Sequence, residues 1–137
     1  MIIDAVLKTQ LCDMLNKAHR SLKAAQRHLD EGDYDFAASR AYYGAFYAME
    51  SALLSRGVTC STHGGVLSEF SKQFIKDGTL PTDFGAKAAR LFRERQTGDY
   101  EFDVSVTGSD AEEDVSIALC MVLAIEQFLV REDGKAL

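Results

Sequence analysis

Three observations predict an all-α fold, a bundle of five helices with up-and-down connections that resembles a four-helix bundle. Apolar residues recur at intervals of three and four along most of residues 1–137, which is the period of an amphipathic helix. Glycine and capping residues separate the periodic stretches by only a few positions, as the short connections of a bundle require. One alternating stretch, Phe102, Val104 and Val106, could be extended but is too brief to build a sheet. We therefore expect residues 1–137 to form one helical domain.

The first two helices have different faces. The first carries one apolar stripe, which Gly32 ends: Leu11, Leu15, Ala18, Leu22, Ala25 and Leu29. Asp33 is a good N-cap for the second helix, which is predicted to run over about 34–56. The second helix is rich in alanine and glycine, so a neighbouring backbone can approach it closely at Gly44 and Ala48. We expect this helix to lie at the centre of the bundle.

Start and stop signals delimit the third and fourth helices. The third begins near Thr62 or His63 and ends before Gly78. The segment 80–83, with sequence Leu-Pro-Thr-Asp, is typical of a helix start and opens the fourth helix. That helix is predicted to end just before Gly98, because glycine commonly follows a helix C-terminus.

A loop over residues 99–109 precedes the last helix. Ser109 and Glu112 resemble a capping box, which would place the helix start at Ser109. The helix then carries apolar residues at helical spacing: Val115, Ala118, Leu119, Val122, Ile125 and Leu129.

The net charge, the cysteines and the length of the apolar runs limit the compartment and the partners of the protein. The formal net charge of −6 excludes a broadly cationic coat for nucleic acid, although not a local basic patch. The three cysteines, Cys12, Cys60 and Cys120, form no CxxC pair and are read as reduced thiols. The longest apolar run, 117–125, is too short to span a membrane, and the N-terminus does not resemble a signal peptide. We expect a cytoplasmic protein with no membrane partner.

The sequence predicts no metal site and no cofactor. His19 and His28 are nine positions apart and face opposite sides of one helix. Cys60 and His63 could both be ligands, but nothing nearby completes a set. The same two residues could form a thiolate–imidazole pair, yet no third residue is identified to orient it.

The second helix carries a polar stripe beside an apolar one. The polar stripe consists of Arg40, Tyr43, Tyr47 and Glu50, and the adjacent core stripe of Tyr42, Phe46, Met49 and Leu53. A partly buried arginine with aromatic neighbours suits packing or an oligomer interface. It also suits an active site, and both readings stay open from these residues.

Two helices carry basic faces. The fourth presents Lys87, Arg90 and Arg93, followed by Arg95, and the first presents Lys17, Arg20, Lys23 and Arg27. Such clusters could hold phosphates, whereas the simpler reading is a solvated surface. Residues 99–114, in contrast, carry only acidic charges. This separation of basic and acidic segments along the chain could also serve to bind a protein partner.

Three motifs in order resemble one family. They are the stretch Ser39-Arg40-Ala41-Tyr42-Tyr43-Gly44-Ala45-Phe46-Tyr47-Ala48-Met49-Glu50-Ser51-Ala52-Leu53-Leu54, then Thr62-His63-Gly64-Gly65-Val66 with Phe70, then Arg95-Gln96-Thr97-Gly98-Asp99-Tyr100. Together they cover about residues 35–100 and resemble stand-alone HEPN-domain proteins of bacteria and archaea. The resemblance implies the five-helix HEPN fold and a homodimer.

The resemblance also implies a function. Many HEPN proteins are metal-independent ribonucleases or toxins, often paired with a minimal nucleotidyltransferase that restrains them. Their motif is an arginine, four to six residues, then a histidine, and two motifs meet across the dimer. Here Arg95 matches the arginine, but Tyr100 stands where the histidine is expected, and tyrosine is a poor base at neutral pH.

The resemblance, together with the polar stripe and the basic face of the fourth helix, suggests site residues in this sequence. The catalytic set is Arg95, Asp99 and Tyr100, and the nucleotide- or RNA-binding set is Arg40, Tyr43, His63, Lys87, Arg90 and Arg93. Positions 95 and 100 lie about 140° apart on a continuous helix and would diverge, so we expect Gly98 to reverse the chain and return Tyr100 to Arg95. By resemblance Tyr100 is also the candidate acceptor of AMP from the partner enzyme.

Three functions follow as hypotheses. The leading one is the toxin-like or phosphate-binding half of a two-component system with a nucleotidyltransferase, acting on RNA or nucleotide. The second is an active ribonuclease in which Tyr100 or His63 transfers protons beside Arg95. The third is a non-catalytic module that docks the nucleotidyltransferase.

Overall fold

Five α-helices and one π-helical turn account for most of the chain. The computed structural model describes residues 3–103 and 105–136, the side chains of 135 and 136 excepted. The elements are α1 (Ala5–Glu31), α2 (Tyr34–Ser55), α3 (His63–Phe70), the π-turn (Ser71–Ile75), α4 (Phe84–Tyr100) and α5 (Gly108–Ala136). Within the described residues no strand is present, so the predicted all-α bundle is confirmed.

A tight connection turns α1 back into α2. Gly32 adopts φ 81°, a left-handed conformation that glycine tolerates without strain. Its N–H and that of Asp33 both donate to the last carbonyls of α1, including that of His28. Asp33 precedes α2 as predicted, but its side chain makes no capping hydrogen bond. The short turn fixes α1 and α2 as antiparallel neighbours.

Helix α2 lies at the centre of the bundle, as its small residues predict. It packs against α1, α4 and α5, and Ala48 is fully buried. A Cβ atom placed on Gly44 would lie 2.9 Å from Cδ2 of Leu22, so α1 approaches α2 closely at this point. The polar stripe of α2 is thereby held against both α1 and α4.

Helix α3 begins at a side-chain cap. The hydroxyl of Thr62 accepts a hydrogen bond from the N–H of Gly65 at 2.9 Å. The π-turn then extends α3 up to Ile75, and Gly78 with φ 77° follows, so the predicted end before Gly78 is confirmed.

The prediction that α4 ends before Gly98 is wrong. The helix continues to Tyr100, and Gly98 is one of its helical residues. A Cβ atom at Gly98 would lie 2.5 Å from the carbonyl oxygen of Asp35, so glycine is needed because α2 and α4 touch backbone to backbone here. The carboxylate of Asp35 also accepts from the N–H of Val106 at 2.8 Å and ties down the following loop.

The predicted capping box at Ser109 is also wrong. Helix α5 begins at Gly108, and Thr107 precedes it. The Thr107 hydroxyl accepts from the N–H of Asp110 at 3.1 Å and supplies the cap. Phe102 and Val106 belong to no strand, and Val104 lies outside the described residues.

The main apolar core joins all five helices, and a smaller cluster of Ala37, Ala38, Val106 and Ala111 packs against Leu29. The largest fully buried side chains of the main core include Tyr42, Phe70, Phe74, Phe84 and Met49. Among the described helices, none is both long and apolar enough to cross a membrane.

Candidate phosphate-binding site

Three side chains surround the guanidinium of Arg95 near the end of α4. Its Nη2 donates to the hydroxyl of Tyr43 on α2 at 2.8 Å and to that of Tyr100 at 3.4 Å. Its Nε lies 2.9 Å from Oδ2 of Asp99, but this N–H does not point at the oxygen well enough for a hydrogen bond. The contact is therefore an ion pair between residues one helical turn apart. The structure brings the three predicted catalytic residues together, while their chemical role stays a prediction.

Tyr100 reaches Arg95 without any reversal of the chain. Because α4 is continuous through Gly98, the expected left-handed turn is absent. The ring centre of Tyr100 nevertheless lies 5.3 Å from the guanidinium carbon of Arg95. Both side chains are long enough to meet across the end of the helix, so the expectation that they diverge on a continuous helix is wrong.

A cluster of aromatic rings lies against Arg95 on the side of α2. The guanidinium carbon is 5.9 Å from the ring centre of Tyr42 and 5.4 Å from that of Tyr43, within range of cation–π attraction. The hydroxyl of Tyr42 lies 2.7 Å from Nδ1 of His63, and the imidazole packs on Phe46 with ring centres 4.5 Å apart. His63 therefore belongs to the surroundings of Arg95.

The environment of His63 favours its neutral form. Burial lowers the pKa of His63, and the positive charge of Arg95 lowers it further. Burial raises the pKa of Tyr42, so its hydroxyl keeps its proton and can donate it to Nδ1. A neutral His63 that accepts at Nδ1 carries its own proton on Nε2.

An open groove of about 630 Å³ runs past Arg95. Its lining residues are His28, Phe36, Ser39, Arg40, Tyr43, Arg95, Asp99 and Tyr100. The guanidinium of Arg40 stacks 4.8 Å from the ring centre of Tyr43. In the described part of the chain Arg40 makes no ion pair, so two guanidinium groups share the groove with a single carboxylate, Asp99. Such a groove attracts anions.

Three of the predicted binding residues lie away from this groove. Lys87 forms an ion pair with Asp83 at 2.9 Å, and Arg93 is exposed. Arg90 points toward α5 and pairs with four carboxylates, Glu94 on its own helix and Asp110, Glu113 and Asp114 on α5. Because its donors are engaged there, we leave Arg90 out of the candidate site, and the role assigned to these three residues stays a prediction.

The Arg90 cluster stabilises the contact between α4 and α5. Asp114 is completely buried and accepts from Nε of Arg90 at 2.9 Å. Burial raises the pKa of Asp114, which the hydrogen bond from Arg90 opposes and the nearby carboxylate of Glu94 reinforces. The basic residue predicted to bind phosphate thus serves a partly buried ion-pair network.

The sequence did not single out three other groove residues. Phe36 and Ser39 line the groove from the first turns of α2, and His28 lines it from α1. Phe36 is 56% exposed, and exposure of a large apolar ring next to basic residues is the signal that helical projection could have found.

Among the described residues, one group could hold a metal ion, formed by His28 with Glu31 and Asp33.

The chain belongs to the HEPN family, because the model of the HEPN domain matches residues 12–128. That match reaches from α1 to α5 and includes the whole Arg95 site. The resemblance drawn from the three motifs is therefore confirmed.

Particular relatives share most of the chain. The protein named "Putative toxin MJ0142" from Methanocaldococcus jannaschii is 33% identical over 111 residues, which cover 81% of this chain and 76% of that protein. A UPF0332 protein from Thermotoga maritima is 36% identical over 84 residues, or 61% of this chain and 64% of that protein. The crystal structure of TT1696 from Thermus thermophilus superposes with a TM-score of 0.74 at 25% identity and covers 87% of this chain and 98% of that one. The chain is thus similar to proteins named "putative toxin".

Proposed function

We propose that this HEPN protein is the toxin-like half of a two-component system and binds a phosphate group of RNA or a nucleotide at Arg95. The observation that carries the proposal is the pairing of Arg95 and Arg40 in one open groove, with Tyr43 between them. A planar guanidinium held by neighbours is well suited to bind a phosphoryl oxygen. Family membership and the toxin names of two relatives support the biological role.

The proposed assembly is a homodimer that also meets a minimal nucleotidyltransferase in the cytoplasm. Two exposed aromatic side chains, Phe36 and Tyr100, line the groove. Exposed aromatic rings beside arginines favour a protein contact. Light scattering at micromolar concentration should give about twice 15.1 kDa, whereas a monomer throughout that range would contradict the dimer.

Tyr100 is the proposed acceptor of AMP from the partner enzyme. The family resemblance suggests this role, and the side chain is 63% exposed, so its hydroxyl is accessible. Tyr100→Phe deletes only the hydroxyl. With the partner nucleotidyltransferase, the Phe variant should lose AMP incorporation and still dimerise, while equal incorporation would remove the assignment.

The experiment that tests the site compares Arg95 with an arginine outside every proposed site. Arg95→Ala should weaken binding of AMP and of a short RNA by at least tenfold, and a cooperative melting curve checks that the variant is folded. Arg131→Ala makes the same change of charge at an exposed position of α5, so it should bind both ligands almost as well as the unaltered protein. Equal binding by all three proteins would eliminate the phosphate site.

A second function, metal-independent ribonuclease activity, is favoured by the position of His63. In the tautomer that donates from Nδ1 to the oxygen of Tyr42, a neutral His63 has a free Nε2, which can accept a 2′-hydroxyl proton while the guanidinium of Arg95 stabilises the phosphoryl charge. Purified protein incubated with total RNA in the presence of a chelator tests this, with Arg95→Ala, His63→Gln and Tyr100→Phe as variants. Cleavage that requires Arg95 and His63 supports the function, and cleavage that survives both substitutions contradicts it.

A further inference from the structure

A second groove, between α1 and α2, is lined by basic side chains. Its volume is about 360 Å³, and its lining is Lys17, Arg20, Ser21, Lys23, Ala24, Arg27, Arg40 and Tyr47. Every charged residue of this lining is a cation, in a protein whose net charge is −6. None of these cations takes part in an ion pair with another described residue. We call this feature the α1 groove.

One acid near the α1 groove, Glu50, interacts with Lys17. Burial raises the pKa of Glu50, and the ammonium of Lys17 opposes that rise, which places the two side chains near each other. Lys17 also lies 4.8 Å from the ring centre of Tyr47. Lys17, Arg20, Lys23 and Arg27 are exposed, so four of the five cations are available to a ligand at the surface.

Arg40 connects the α1 groove to the Arg95 site. It lines both grooves, and its backbone carbonyl accepts from the buried hydroxyl of Ser21 at 2.7 Å, which locks α1 against α2 at this point. From Lys17 to Arg27 the helix rises by about 15 Å. Phosphates follow one another at about 3.4 Å per nucleotide along a stacked strand, and further apart in an extended one, so the groove is long enough for several.

We propose that the α1 groove binds the backbone of single-stranded RNA and leads the strand past Arg40 to Arg95. This proposal rests on the proposed function, since it adds a path for the strand that ends at the phosphate site. A row of cations with tyrosine rings beside it is the usual composition of a single-strand site, where phosphates meet the charges and bases stack on the rings. An acidic protein segment would also meet the cations, but its binding would not require the half-buried rings of Tyr43 and Tyr47 or the continuity with the Arg95 groove.

The test measures RNA binding as a function of length and salt. The probes are a fluorescent 12-residue oligouridylate and AMP, with the full-length protein. The groove variant is Arg20→Gln/Lys23→Gln/Arg27→Gln, which leaves the contacts of Lys17 and Arg40 intact. We expect it to bind the oligonucleotide at least tenfold more weakly, with the slope of log affinity against log salt reduced by about 2, because a single strand contributes about 0.7 per phosphate contact. AMP binding should not change.

A second triple variant controls for net charge. Lys72→Gln/Lys76→Gln/Arg131→Gln removes three exposed cations from other elements and gives the same net charge. Oligonucleotide binding should be nearly normal in this protein, and an equal loss in both triple variants would overturn the proposal. Circular dichroism melting of both proteins shows whether a loss of oligonucleotide binding reflects unfolding. If the groove variant is unfolded, the three single substitutions replace it. Each of them should lower the slope of log affinity against log salt.

The remaining outcomes separate this proposal from the proposed function. If Arg95→Ala leaves AMP binding unchanged while the groove variant still loses the oligonucleotide, the phosphate site fails and the α1 groove stands. If the groove variant binds RNA normally but no longer self-associates, the occupant is the acidic segment 99–114 of a second copy, and the RNA path is overturned.

Discussion

The hydroxyl of Tyr42 lies 2.7 Å from Nδ1 of His63, although the two residues come from the middle of α2 and the start of α3. Tyr42 is completely buried, so its hydroxyl is removed from water. A buried hydroxyl needs a partner, and the imidazole supplies it. This hydrogen bond therefore orients His63 in the aromatic cluster beside Arg95.

Tyr42→Phe should destabilise the protein by about 1–3 kcal/mol. The substitution keeps the ring and removes the donor, which leaves Nδ1 of His63 without its partner in a half-buried position. Urea denaturation measures the change. Tyr47→Phe is the control, because the Tyr47 hydroxyl makes no hydrogen bond to the described residues, and it should change stability by less than about 0.5 kcal/mol. Equal effects would mean that the Tyr42–His63 bond contributes nothing.

Gly98→Ala should cost about 1–3 kcal/mol, because the added methyl group would collide with the carbonyl oxygen of Asp35 at 2.5 Å. Gly134→Ala is the matched control on α5, where nothing lies within 4 Å of the added atom. There alanine should be neutral or stabilising by up to about 1 kcal/mol, since it favours the helix. Thermal melting of the two variants gives the comparison, and a Gly98 variant as stable as the control would show that α2 and α4 can separate without cost.

These contacts show what periodicity can and cannot predict. Apolar spacing predicts the five helices, because each stripe must face a common core. The predicted helix ends at Gly32 and Gly78 are confirmed by the left-handed conformation of both glycines. Gly98 also follows a periodic stretch, but it does not end the helix. Glycine is required there because the backbone of Asp35, on another helix, lies in contact with it. A single helix sequence carries no information about such a contact.

The sequence predicts the contacts of the candidate site that lie within one helix, but not those between helices. Arg95 and Asp99 are one turn apart, so their pairing can be read from spacing. The Tyr43–Arg95 hydrogen bond joins residues 52 positions apart, and the carboxylates from α5 that occupy Arg90 are equally remote in sequence. The family motifs include both Arg95 and Tyr43. The sequence of α4 alone, in contrast, does not distinguish Arg95 from Arg90 as a phosphate ligand.

Thr107→Ala should destabilise α5 by about 1 kcal/mol, because the N–H of Asp110 loses its acceptor. Ser109→Ala changes the neighbouring hydroxyl, which lies inside the helix and makes no hydrogen bond to the described residues. That variant should be nearly neutral in the same chemical denaturation experiment. If Ser109→Ala proves the more costly of the two, the cap is misassigned.

Asp114 should make stability fall as pH rises from about 4 toward neutrality. Its pKa is raised in the folded state by burial, so above the ordinary aspartate pKa of about 3.9 the folded protein holds a proton that the unfolded chain has released. Its contribution is therefore greatest at low pH and is lost as pH passes the folded pKa. Arg90 and Glu94 on α4 act on the pKa of Asp114, while Asp110 and Glu113 of its own helix pair with the same arginine.

Asp114→Asn tests this dependence. Asparagine can still accept from Nε of Arg90 but cannot ionise, so melting temperatures of the variant should differ less between pH 5 and pH 8 than those of the unaltered protein. Asp13→Asn, at an exposed position of α1, should keep the original pH profile. A steeper fall with pH in the Asp114 variant would contradict the assigned direction.

The two-residue turn between α1 and α2 has a consequence for the order of folding. The contacts between these helices join residues close in sequence, and such contacts form fast because little loop entropy is lost. Arg95 meets Tyr43 only after α4 docks across a much longer stretch of chain. The helical hairpin is thus expected to form early and the phosphate site late. During local opening of the native protein the order reverses, so α4 can release the site while α1 and α2 stay paired.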